Sequence, residues 1–314
     1  MNKGFLIAIE GTDGSGKHLQ TQLLAKRLKQ ALYPVRELSF PCYNSASSAL
    51  VKMYLGGEQG PDPSKINAYA ASTFYAVDRF ASYTADWRKD YEAGKILLAD
   101  RYTGSNIVHQ GSKIQPAKRD DFIRWERDLE YNRMGIPMPD IVIFLDVPTE
   151  ISARMRAERE AQTHTTADIH ERDNKYLAHC RDVALDIADQ LGWLVIPCTK
   201  DGETLPPEEI NNTIFELCQP KIREFMERRN AMTEYEKYQL QWMLAHGHSL
   251  RELIDGLTEF QYGDPEDSDR ISTPVADLFA QWEQDCGFGS EIWACEAEWE
   301  NVEGEGPKDG LPSK

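Results

Sequence analysis

Residues 11–17, GTDGSGK, lie between an apolar run and a helical pattern. Before them, Phe5, Leu6, Ile7, Ala8 and Ile9 form an unbroken apolar stretch, the pattern of a strand buried on both faces. After them, Leu19, Leu23, Leu24 and Leu28 recur at helical spacing and predict an amphipathic helix. Strand, glycine loop and helix in this order, with the loop closing in Gly-Lys, form the G-x-x-x-x-G-K frame of a phosphate cradle. Gly11, Thr12, Asp13, Gly14, Ser15, Gly16 and Lys17 make up the loop. Glycines let backbone N–H groups turn inward, the helix N-terminus adds partial positive charge, and Lys17 reaches the outer phosphates. A nucleoside triphosphate is the expected ligand. The next position, usually a hydroxyl that helps hold Mg²⁺, is His18. Imidazole is a poor ligand for a hard cation. His18 can still hydrogen-bond a phosphate, which leaves the metal to a carboxylate or water.

At 314 residues the chain suits one large domain or two smaller ones. No run approaches the roughly 18 apolar residues of a membrane span, and the N-terminus lacks a signal-peptide cleavage site. The six cysteines (Cys42, Cys180, Cys198, Cys218, Cys286, Cys295) form no C-x-x-C pair, so they read as reduced thiols of a cytoplasmic protein. The net charge of −17 speaks against generic nucleic-acid binding, because an acidic chain repels a polyanion.

Through residue 220, short apolar runs alternate with longer helical patterns. Strand candidates are 5–9, 35–39, 96–99, 141–146 and 193–197, and Pro206 to about Met226 reads as a last helix. This alternation implies α/β architecture: a mostly parallel sheet covered by helices on both faces. Ligands of such sheets bind beyond the carboxyl ends of the strands. The phosphate loop, Phe40-Pro41 and Asp100-Arg101-Tyr102 all fall there. Beyond residue 229 the composition shifts. Residues 221–314 carry 9 basic against 21 acidic side chains and four of the seven tryptophans. Fresh helix-start signals, such as the capping box Ser249–Glu252, mark 230–302 as a small acidic helical module. Residues 303–314 read as a disordered tail.

Several segments together resemble the thymidylate kinases. Glu10–Lys17 is similar to their E-G-x-D/E-G-x-G-K string. Asp100-Arg101-Tyr102-Thr103-Gly104-Ser105, followed by His109-Gln110-Gly111, is similar to their D-R-Y-x-x-S…Y-Q-G segment. Gly135–Val147 is similar to G-L-P-x-P-D-L-V-I-Y-L-D-V, and Phe40-Pro41 and Tyr75–Arg79 to two further segments. The resemblance covers about residues 1–220 in family order. It implies the P-loop NTPase fold, a three-layer α/β/α sandwich, with 1–229 as the kinase-like domain. It also implies ATP as phosphoryl donor, Mg²⁺, a nucleoside monophosphate acceptor (dTMP, with another pyrimidine monophosphate as the alternative) and a homodimer. A reading of a different class is a nucleotide-binding regulatory protein without turnover.

Phosphoryl transfer asks for positioning and charge neutralisation. Arg101, at a strand end, can bridge donor and acceptor phosphates, and Asp100 beside it can hold Mg²⁺ directly or through water. The resemblance places a further arginine either in the loop or on a mobile lid. Gly14 leaves the loop without one, so Arg154, Arg156 and Arg159 in the lid segment become the catalytic candidates. On the acceptor side the resemblance implies Tyr75 or Phe74 stacking on the base and Arg79 on a pyrimidine carbonyl. It also implies that Asp13 faces the sugar or acceptor phosphate, that Ser105 and Gln110 line the base pocket, and that Phe40 borders the site. Where the family often has F-P-x-R, this chain has Tyr43, a neutral donor in place of a charged fork.

Overall fold

The apolar runs become five strands: β1 (Phe5–Gly11), β2 (Val35–Ser39), β3 (Ile96–Asp100), β4 (Ile141–Asp146) and β5 (Leu194–Pro197). In this computed structural model, which describes residues 3–60, 62–163 and 174–230, they pair in parallel in the order β2-β3-β1-β4-β5. Central β1 is buried along its whole length, as its unbroken apolar run requires.

Alternate residues of the strands feed two layers. Phe5, Ile7 and Ile9 pack with Ile96, Leu98 and Ile143 beneath α1 (Lys17–Gln30) and α9 (Pro207–Asn230), which contribute Leu24, Leu28, Ile214 and Ile222. On the opposite face, Leu6, Ala8, Leu97 and Ala99 meet Leu38, Phe40, Trp87 and Tyr102. The result is the expected three-layer α/β/α arrangement.

Between β2 and β3 run α2 (Ala49–Leu55), α3 (Ala68–Ser82), a π-helical turn (Tyr83–Trp87) and α4 (Arg88–Glu92). Between β3 and β4 run α5 (Thr103–Gly111), α6 (Pro116–Arg127) and a second π-helical turn (Asp128–Arg133). Helices α7 (Thr149–Thr163) and α8 (Asn174–Leu191) connect β4 to β5. A two-stranded ribbon, β6 (Thr199–Lys200) and β7 (Glu203–Thr204), precedes α9 and has no counterpart among the strand candidates.

The first helix departs from its apolar pattern. Leu19 is 43% exposed, while Lys17, Gln20, Thr21, Leu24, Ala25 and Leu28 are buried. Lys17 has to point into the loop, and helical spacing then turns 20, 21, 24 and 28 inward. Hydrogen bonds satisfy the polar members: Gln20 Nε2 donates to Pro207 O at 3.0 Å, and Asn211 Nδ2 to Gln20 Oε1 at 3.1 Å. Helix α9 runs to Asn230, beyond the expected end near Met226. The described cysteines Cys42, Cys180, Cys198 and Cys218 are free thiols. Cys286, Cys295, the module at 230–302 and the tail at 303–314 lie outside the described residues, apart from Asn230 at the end of α9.

Candidate active site

The loop between β1 and α1 wraps around Lys17. Its ammonium donates to Thr12 O at 2.8 Å and Gly11 O at 3.0 Å, and the residue is buried. Burial, with Arg101 nearby, lowers its pKa to about 8. Gly14 and Gly16 have φ of 84° and 83°, left-handed values that suit glycine. Gly16 caps α1 without a side-chain hydrogen bond, so the first-turn amides have no side-chain cap to compete with an anion.

The end of β3 brings Arg101 to the same place. Arg101 has φ of 65°, a strained value for a residue with a Cβ. Its Nη2 pairs with Asp13 Oδ1, and its Nη1 donates to Ser105 Oγ at 3.4 Å. Glu10 braces the turn from below. It accepts from Tyr102 N at 2.8 Å and Ser105 Oγ at 2.6 Å, and burial raises its pKa. Gly104 leaves room for it, since a Cβ there would lie 2.7 Å from Glu10 Oε1. Ser105, expected at the base, is therefore engaged in the Glu10–Arg101 network.

His18 and Asp100 face each other across the mouth. A carboxylate only accepts, so His18 Nδ1 donates to Asp100 Oδ2, at 3.1 Å, and Nε2 accepts from Gln22 Nε2 at 3.0 Å. Mg²⁺ keeps several waters and takes one or two carboxylates plus phosphate oxygens. Asp100, with its side chain 14% exposed, suits that role. Among the described residues no cluster of three or more His, Cys, Asp or Glu side chains could hold a metal alone. The residues therefore fit an ion shared with nucleotide phosphates. Replacing His18 by Thr removes Asp100's imidazole partner and supplies a hard oxygen. The expected result is turnover within about tenfold of the parent and half-saturation at lower Mg²⁺. A Mg²⁺ titration of both forms checks this, and a larger loss assigns His18 a direct role.

The structure separates the three lid arginines. Arg156 on α7 is 4% exposed and reaches the loop: Nη1 donates to Asp13 O at 2.8 Å and Ser152 Oγ at 3.2 Å, and Nη2 to Asn174 Oδ1 at 2.6 Å. Its stem passes Gly14, where a Cβ would lie 2.8 Å from Arg156 Cγ. Arg154, the second lid candidate, is exposed and turns to Glu203 Oε2 on β7 at 3.2 Å. Arg159 belongs to α7, but its side chain lies outside the described residues.

The acceptor residues are redistributed too. Phe40 is 5% exposed and packs on Tyr102 with ring centroids 5.7 Å apart. Phe74 and Tyr75 are half-buried, both against Tyr54. Arg79 is drawn inside, with Nε and Nη2 on Glu130 at 2.7 and 2.6 Å and Nη1 on Tyr102 O at 3.4 Å. Three of its five N–H groups are thereby committed. Gln110 is buried, and its Oε1 has no donor among the described residues. Asp78 fastens the loop after β2 by accepting from Cys42 N at 2.7 Å and Ser47 Oγ at 2.6 Å.

Glu10, Asp78, Glu130 and Asn106, whose Nδ2 donates to Ser72 O at 3.0 Å and Glu126 Oε1 at 2.7 Å, are residues of this region that sequence reasoning misses. An acidic residue ending an apolar strand, or preceding an arginine on a helix, is the available signal for Glu10 and Asp78. Nothing local points to the other two.

Comparison with known proteins bears on the same region. Residues 9–208 match the thymidylate kinase family. The thymidylate kinase of Mycobacterium tuberculosis is 29% identical over 216 residues, covering 65% of this chain and 99% of that protein. That of Thermomicrobium roseum is 31% identical over 218 residues, covering 67% and 92%. A solved structure of the Candida albicans thymidylate kinase superposes with a TM-score of 0.51 at 18% identity, over 70% of this chain and 92% of that one, which shows a shared fold.

Proposed function

The chain belongs to the thymidylate kinase family, and from that premise we propose that it transfers the γ-phosphoryl group of ATP to the 5′-phosphate of dTMP, giving dTDP and ADP. The observation that supports this most is the convergence of two arginines on one loop residue. Arg101 holds the Asp13 carboxylate and Arg156 the Asp13 carbonyl, both over the loop that Lys17 closes. Lys17 and the loop amides hold the donor phosphates. An oxygen of the acceptor phosphate attacks the γ-phosphorus as its bond to the bridging oxygen breaks. Arg101 and Arg156 meet the charge spread over the transferring group. Asp100, together with nucleotide oxygens, would hold Mg²⁺, which would supply neutralisation of the phosphate charge. An ADP-release assay across dTMP, dUMP, dCMP and dGMP tests the reading. The highest kcat/KM is expected with dTMP, and a preference for another acceptor overturns it.

The active form is a homodimer in this reading. Tyr69, Val77 and Phe80 on α3 and Leu50 and Met53 on α2 are 38–43% exposed, an apolar surface suited to a second copy. The chain works in the cytoplasm on small nucleotides and does not engage nucleic acid. Among the described residues no helix is long and apolar enough to cross a membrane. The kinase domain is residues 1–229, with 230–302 a separate acidic module. A chain ended after Arg229 is expected to fold and to keep kcat within about threefold of the full chain. Thermal melts and rate assays decide, and an insoluble or inactive product removes the division.

A further inference from the structure

Arg79, Asn106, Glu126 and Glu130 form a charged cluster sealed from water. Arg79 is 2% exposed and both carboxylates are 0% exposed. Glu126 lies at the end of α6 and Glu130 follows four positions later in the π-helical turn, so the two carboxyl groups share a face. Glu130 takes the Nε and Nη2 of Arg79. Glu126 Oε1 accepts from Asn106 Nδ2 at 2.7 Å, and Oε2 has no donor among the described residues. Two ionised carboxylates against one guanidinium would leave a buried negative charge without compensation, which proteins avoid by keeping one group neutral. A single proton on Glu126 supplies the missing hydrogen bond and balances the charge.

We propose that Glu126 is a positioning residue: held as the carboxylic acid, it shares its proton with Glu130 and so keeps the Glu130 carboxylate locked on Arg79, the side chain that the family resemblance assigns to the acceptor base. The last clause rests on the acceptor reading above. Burial and the adjacent Glu130 push Glu126 up, to about 8. The other groups facing the cluster are Arg79 from α3, Asn106 from α5, Tyr102 before it and Tyr131 from the turn. Burial raises both tyrosines, and Arg79 stays charged, so the shared proton is the one that titrates near neutrality. Above its pKa a second negative charge pulls the guanidinium inward and away from the base.

Glu126→Gln in the full chain removes the proton while keeping the shape and a donor. An acid whose pKa is raised in the fold contributes stability that is fully present below the unfolded value and is lost as pH rises through the folded one. The Tm of the variant should therefore gain on the parent between about pH 5 and pH 8 and then level off. The parent's KM for dTMP should rise above pH 8, at most about tenfold per pH unit, with no such rise in the variant. Lys17 and the nucleotide titrate in both proteins and cancel in the comparison. Infrared spectra of the parent labelled with ¹³C-glutamate should show a protonated carboxyl band at pH 7 that fades by pH 9. A constant Tm margin, or no such band, overturns the shared proton. A Tm margin with parallel KM profiles overturns the positioning role. If Arg79→Lys leaves the KM for dTMP unchanged, it is the reading of Arg79 at the base that fails.

Discussion

Replacing Arg156 by Ala is expected to lower kcat about 10³-fold or more, the scale of an arginine that meets transition-state charge in phosphoryl transfer. The guanidinium bonds the Asp13 carbonyl from α7, and at 4% exposure it is committed to the loop. Arg154→Ala is the internal control. Its side chain turns to Glu203 in an exposed pair, and such pairs contribute little. Single-turnover rates at saturating ATP and acceptor separate chemistry from binding, and circular dichroism reports folding. Equal losses in the two variants, or near-normal turnover in the Arg156 form, would sink the assignment of the catalytic arginine.

Lys17→Ala should cost at least about 10³-fold in kcat, beyond what removing one neutral donor costs, because an ammonium is lost from beside the transferring group. The fold should survive, since the loop keeps its glycine turns and β1 and α1 keep their core contacts. The parent should carry a related signature. With a pKa near 8, Lys17 is charged below that pH and neutral above it, so kcat/KM for ATP falls on the alkaline side. Pre-steady-state rates and melting curves check the variant, and unchanged turnover would remove Lys17 from the mechanism.

The parts of this molecule that follow from local pattern are readable in the sequence. A strand buried on both faces has to be apolar throughout, so β1, β3 and β4 are visible as runs, and the glycine loop is visible because phosphate cradles need its spacing. What depends on a distant partner is not. Arg79 is expected at the base, but the Glu130 that fixes its fork stands 51 positions away, out of reach of any local pattern. Phe40 is expected to border the site, and nothing local shows that it packs on Tyr102. The lid arginines cannot be ranked from sequence, because which of them meets the loop depends on how α7 docks. Leu19 matches a helical stripe, but Lys17 fixes the rotation of α1 and leaves Leu19 outside.

The absent side chain at position 14 has a consequence for how this kinase could change. At φ of 84°, a Cβ there would lie 2.6 Å from Ser152 O and 2.8 Å from the stem of Arg156. An arginine in the loop and an arginine from the lid are thus rival tenants of one space. The chain cannot acquire the first as a backup while keeping the second. Moving from one to the other would require α7 to withdraw as the loop changes, a coupled step rather than a single substitution.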